Sequence, residues 1–191
     1  MKLLIATALA LALCCPAVAS AQTADFKCPA TGTEFTFRSG GVDTKSVATG
    51  QEDGVCLIQR GTGDKAVTGR TYWGLVGSVD AAGESFVRGL DLKSLWPLKV
   101  GNKTIQTVNG VGYNGQPYTS SITITVAAYE KVTVPAGTFD AFRVEENKAG
   151  EPRLRTHWWA PAVSLSVKES FPDWQDSTTF KLYELVAFKP Q

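Results

Sequence analysis

Residues Val132 to Val144 read Val-Thr-Val-Pro-Ala-Gly-Thr-Phe-Asp-Ala-Phe-Arg-Val, and this stretch limits the fold more than any other. Val132 and Val134 alternate with polar residues, as a half-buried strand requires. Pro135 has its φ pre-set near −65° and has no N–H, so it suits a turn and stops a strand ladder. Gly137 takes φ > 0 at little steric cost. Beyond it, Asp140, Phe142 and Val144 point one way and Phe139, Ala141 and Arg143 the other. The stretch is therefore read as a β-hairpin with a short loop.

The same period of two recurs along the chain. Strands are expected at Glu34–Arg38, Val42–Thr49, Val55–Arg60, Tyr72–Val76, Lys103–Val108, Tyr118–Tyr129, Arg153–Trp159, Val163–Glu169 and Thr178–Phe188. Turn signals separate them, among them Ser39-Gly40-Gly41, Gly61-Thr62-Gly63-Asp64, Asn109-Gly110, Asn114-Gly115 and Ala149-Gly150-Glu151-Pro152. Leu92, Leu95 and Trp96 fall at helical spacing before Pro97, which predicts only one or two helical turns. Gln22–Lys27 is expected to be a loose arm, and Ala81–Gly89 is irregular. Short connections favour antiparallel neighbours, and no long helical pattern supports a parallel βαβ sheet.

The first residues carry a targeting pattern. Lys2 precedes an apolar run from Leu3 to Leu13, too short to span a membrane as a mature helix. Ala19-Ser20-Ala21 offers small residues where a signal peptidase reads, so residues 1–21 are expected to be a signal peptide cleaved after Ala21, with Ala17-Val18-Ala19 as the rival site. Leu13 before Cys14 disfavours a lipoprotein signal. Residues 22–191 then form one domain, periplasmic or secreted, with no transmembrane segment. The whole chain has 19 Lys+Arg and 18 Asp+Glu. Without Lys2 the charges balance, which gives no basic field for nucleic acid. Cys28 and Cys56 remain after cleavage, and an even pair in an exported chain is most simply a disulfide.

Three stretches carry a family resemblance: Leu95-Trp96-Pro97-Leu98-Lys99-Val100-Gly101, then Val132 to Val144, then Trp158-Trp159-Ala160-Pro161 with Val163 and Val167-Lys168. The closing Tyr183-Glu184-Leu185-Val186 fits them. Their order and spacing resemble a broad group of uncharacterised bacterial envelope proteins, similar in turn to the lipoprotein-carrier-like half-barrel superfamily. The resemblance covers Leu95 to Val186. It implies a mainly β fold, a strongly curved antiparallel sheet forming a half-open barrel around a helical plug. A β-sandwich is the alternative. Ser164 stands where the group commonly has glycine. The group has no agreed activity to transfer, and an analogy of fold warrants little about function.

The residues themselves carry little catalytic chemistry. There is no hydrolase elbow, phosphate-binding glycine loop, dinucleotide fingerprint or HExxH. No cofactor or metal is implied. His157 is the sole histidine and reads as a satisfied structural residue. Glu145 and Glu146, adjacent on a strand, face opposite sides and read as surface charges. Asp173 and Asp176 read as solvated loop carboxylates. The expected function is therefore non-enzymatic: an exported envelope protein that binds or carries an apolar, lipid-like molecule, or chaperones an envelope partner, through its curved sheet. A secreted hydrolase and a carbohydrate-binding domain are the alternatives. Candidate ligand contacts, chosen by alternation on the C-terminal strands, are Phe142, Val144, Trp158, Leu165, Leu182 and Val186.

Overall fold

The structure is a computed structural model that describes residues 22–61, 63–79, 91–111, 115–148, 154–173, 176 and 179–191. The expected signal peptide and cleavage site, the stretch Ala81–Gly89 expected to be irregular, and the expected turns at Asn114 and Ala149–Pro152 lie outside the described residues. The strands are β1 (Thr23–Ala24), β2 (Glu34–Ser39), β3 (Val42–Glu52), β4 (Val55–Arg60), β5 (Val67–Tyr72), β6 (Val76–Val79), β7 (Leu98–Lys99), β8 (Lys103–Val111), β9 (Pro117–Val134), β10 (Gly137–Lys148), β11 (Leu154–Ala160), β12 (Leu165–Pro172) and β13 (Phe180–Lys189). Eleven of them form one antiparallel sheet in the order β6-β5-β4-β3-β2-β13-β12-β11-β10-β9-β8. β1 and β7 form a separate pair.

That order is an up-and-down meander joined where β13 pairs with β2 and open between β6 and β8. The expectation of a strongly curved antiparallel sheet is met. The curvature is visible in the packing. Leu75, in the turn between β5 and β6 near one edge, shares a core with Ile122, Ile124 and Val126 of β9, next to the other edge.

The described part of the crossover from β6 to β8, residues 91–98, packs into this core. Leu92, Leu95 and Leu98 are fully buried against Phe142, Val144 and Trp159. Burying each leucine contributes about 1.5–3 kcal/mol relative to leaving it exposed. The helical turn here is a single 3₁₀ turn at Lys93–Leu95. Leu95 N–H donates to Leu92 O at 3.0 Å and Trp96 N–H to Lys93 O at 3.1 Å. Pro97 allows no continuation. Asn102 Nδ2 then donates to the carbonyls of Leu95 and Pro97, at 3.2 and 2.9 Å, which the end of the turn would otherwise leave without partners.

The hairpin joins β9 to β10 through Pro135-Ala136, with Val134 opposite Gly137 and Val132 opposite Phe139. Gly137 sits at φ +134°, a conformation side chains rarely adopt. Ala136 N–H donates to Leu185 O at 3.1 Å, so the hairpin tip is tied to β13. Val132, Val134 and Ala141 there join Phe35, Phe37, Ala48, Ile58, Val163, Leu165, Val167 and Leu185 in a second core.

Several local expectations are corrected. Tyr72–Val76 is not one strand: residues 73–75 turn, with Trp73 at φ +51° and Gly74 at φ +70°. The Trp73 ring lies on Gly54, where a Cβ would come within 2.4 Å of it, and it packs on Phe26 at 4.7 Å. That burial offsets the strained backbone. Gln22–Lys27 is not loose, because Thr23 and Ala24 pair with Lys99 and Leu98 and Phe26 packs between Trp73 and Trp96. Asn109-Gly110 lies inside β8, not in a turn. Ser164 takes φ +56°, a left-handed conformation that glycine adopts more readily than serine.

Candidate functional site

Alternation along the central strands places one row of side chains inside the curve. On β10 that row is Phe142, Val144 and Glu146. Their partners on β11 are Trp159, His157 and Arg155. Glu146 is buried, which corrects its reading as a surface charge: period two puts it on the same face as two fully buried apolar residues. His157 also pairs with Glu169 of β12. Its Nε2 lies 3.6 Å from Glu146 Oε2 and its Nδ1 3.6 Å from Glu169 Oε1. These are ion-pair separations, longer than hydrogen bonds.

This three-residue cluster is electrostatically coupled. Burial works against a charge on His157, but the Glu169 and Glu146 carboxylates outweigh it and push the imidazole from 6.5 up to about 9. Burial acts against ionisation of Glu169 as well. The His157 imidazolium overcomes it, with Arg155 and Arg60 adding to the effect, and holds that carboxyl below its ordinary range. The Glu169 side chain keeps 28% of its surface exposed, because it faces a cavity.

The cavity lies over the second core, between β2–β4 on one side and β12–β13 on the other. Its volume is about 60 Å³. Phe35, Phe37, Ile58 and Leu165 give it apolar walls, and Ser46, Ser166, Arg60, Glu169 and Tyr183 give it polar ones. Register explains the grouping. Ser46 of β3 lies opposite both Phe35 of β2 and Arg60 of β4, and Tyr183 of β13 lies opposite Glu169. The Tyr183 ring stacks on Phe37 at 4.5 Å, and burial pushes its phenol pKa up, so it stays neutral. Cys56 also borders the cavity and carries the expected disulfide to Cys28.

The six candidate contacts separate. Leu165 lines the cavity. Phe142 and Val144 are fully buried in the first core, under the leucines of the crossover. Trp158 is on the opposite face from Trp159, half-buried, with Nε1 donating to Glu130 Oε1 at 2.8 Å and Lys168 5.7 Å from its ring centroid. Leu182 is 43% exposed, since alternation sends it away from Tyr183. Val186 is half-buried where β13 shifts register against β2. The N-terminal cavity residues were missed, although Glu34–Arg38 and Val55–Arg60 alternate plainly; what that pattern lacks is any sign that β2 would meet β13. Asp173 is not merely a solvated carboxylate: it pairs with Lys181 at 3.2 Å.

No family model matches the chain, and no curated protein does. Among solved structures it is similar to an exported protein with YmcC-like fold from Bacteroides fragilis, at 14% identity and TM-score 0.45, over 87% of this chain and 99% of that one. It is also similar to the hypothetical lipoprotein YmcC of Escherichia coli, at 13% identity and TM-score 0.45, over 83% of this chain and 85% of that one. A lipoprotein from Parabacteroides distasonis aligns at 12% identity and TM-score 0.39, over 88% of this chain and all of its own.

Proposed function

We propose that this protein is an exported, non-enzymatic binding protein that takes the end of a small apolar or amphipathic molecule into the cavity over its second core. The observation that carries this reading is the contrast inside one curved sheet. The crossover leucines fill one half, while the other half keeps an apolar-walled cavity with half-buried Arg60, Glu169 and Tyr183 at its rim. At about 60 Å³ it is smaller than the ~300–1,000 Å³ of common ligand sites. The reading is therefore of a ligand whose tip enters while the rest lies outside, rather than of a whole acyl chain enclosed by the sheet.

The alternatives have less support. An imidazole with a pKa near 9 is already protonated at neutral pH and is a poor general base there. Sugar binding calls for an open aromatic face, whereas Trp158 is held by Glu130 and Lys168. The Cys28–Cys56 bridge fits an extracytoplasmic location. No described helix is long and apolar enough to cross a membrane.

The test is calorimetric titration of the purified protein with 1-hexanol, beside the variant Leu165→Trp, whose fold is checked by circular dichroism. Saturable heat with the parent, lost in a folded Leu165→Trp, is the expected result. Heats that match dilution for both proteins would end this reading.

A further inference from the structure

Three features of the cavity remain unexplained by a purely apolar ligand. Ser46 and Ser166 are each only 6% exposed, both line the cavity, and neither hydroxyl has a hydrogen-bond partner. A buried hydroxyl without a partner is unfavourable, so something polar is expected to meet it. The third feature is Arg60, on the cross-strand pair with Ser46. Its guanidinium reaches over Gly69 of β5, where a Cβ would lie 3.3 Å from Nε. Among the described residues no hydrogen bond or ion pair engages it. Gly69 thus leaves room for an arginine whose donors remain available.

The surrounding charges favour an anion. Glu169 lines the same cavity, but its carboxylate faces His157, which also faces Glu146, and Arg155 and Arg60 act on Glu169 as well. Among these described groups, with the imidazole protonated, three cations (Arg60, Arg155 and His157) face two carboxylates (Glu146 and Glu169). So small an excess suits a monoanion better than a dianionic phosphate.

Resting on the binding function proposed above, we infer that the ligand's inserted end is a carboxylate, held by Arg60 and by the hydroxyls of Ser46 and Ser166, with its first carbons against Phe37, Ile58 and Leu165. A carboxylate accepts a two-pronged bond from a guanidinium and has lone pairs left for two hydroxyl donors. Its attached chain supplies the apolar surface that the other wall would bury.

The experiment compares sodium hexanoate with 1-hexanol, equal in chain length and different in charge, by titration calorimetry on the parent protein and on Arg60→Gln. Arg60 is half-buried at the rim, so the variant should keep the fold. Hexanoate is expected to bind about tenfold tighter than hexanol to the parent, as one charge-assisted contact allows. In Arg60→Gln that preference should vanish, hexanoate binding no tighter than hexanol does to the same variant. Equal affinities in the parent, or a preference that survives in Arg60→Gln, would overturn the carboxylate assignment and leave apolar binding standing. Binding of neither compound would overturn both, and would identify the partners of the two serines as water, about four molecules of which the cavity could hold.

Discussion

The two halves of the curved sheet are built alike and finished differently. Both are antiparallel meanders with apolar rows facing inward: Phe142, Val144, Ile124 and Val126 in one, Phe35, Phe37 and Ile58 in the other. The first receives Leu92, Leu95 and Leu98 from the crossover, all fully buried against it. The second receives the hairpin tip at Val132–Val134 along one side and keeps a cavity beside it. The strands themselves do not decide whether a concave sheet becomes a core or a site. The segment that crosses it does. Alternation therefore nominates Phe142 and Leu165 equally, yet one is core and the other lines the cavity.

The comparison can be broken first by truncation. Phe142→Ala is expected to cost about 3–5 kcal/mol, because neighbours packed on every side relax only partly into the void. Leu165→Ala should cost clearly less, about 2 kcal/mol, at the low end for a buried leucine, since part of its surface already faces the cavity. Urea unfolding of the two variants measures both. Equal losses would mean that the halves are packed equally well.

The His157 cluster lies where the halves meet, and pH probes it. A pKa raised from 6.5 unfolded to about 9 folded makes His157 stabilising below pH 6.5. That contribution is lost as pH rises through 9. Its size is on the order of 3 kcal/mol. Glu169, with its pKa lowered, acts in the opposite sense: its contribution is present above the unfolded carboxyl pKa and lost as pH falls below it. Unfolding free energy should therefore be greatest between about pH 5 and 6.5. The alkaline decline should flatten in His157→Gln, and a slope that stays the same in this variant would show that another group causes it.

Gly137→Val tests the hairpin tip that bounds the second half. At φ +134° a β-branched residue is strained by about 1–3 kcal/mol. A change within about 0.5 kcal/mol would mean the tip relaxes without disturbing the Ala136–Leu185 tie.

How much of this was legible in the sequence follows from what alternation encodes. The hairpin and the inward direction of Phe142 and Val144 rest on local alternation, and the structure agrees; the disulfide rests on the even pair of cysteines in an exported chain, and it is formed. What failed was non-local. Glu145 and Glu146 look equivalent in the sequence, and only the packing of β10 against β11 buries one of them beside His157. Trp73 reads as strand-forming, but its contacts with Gly54 and Phe26 turn the chain there. The cavity needs β2 beside β13, residues about 150 positions apart in the chain, a pairing that local pattern does not report.

The smallest expected effect is the most discriminating for the second half. Ser166→Ala removes a hydroxyl that is buried at 6% exposure and has no protein partner. In a packed core, removing a hydroxyl that is hydrogen-bonded leaves its partner unsatisfied and costs about 1–3 kcal/mol. Here no partner is left behind, and the methyl group that remains still faces the apolar wall. Stability of the unliganded protein should change by less than about 0.5 kcal/mol, or rise slightly if the hydroxyl was poorly hydrated. Hexanoate affinity should fall severalfold in the same variant, because a donor to the carboxylate is gone. This separation of stability from affinity is what distinguishes a site from a core. Val144→Ala, in the filled half, should do the reverse, lowering stability by about 1–3 kcal/mol with hexanoate affinity unchanged. If Ser166→Ala destabilises the unliganded protein by more than about 1 kcal/mol, its hydroxyl is structural, and the second half is a core with a defect in its packing.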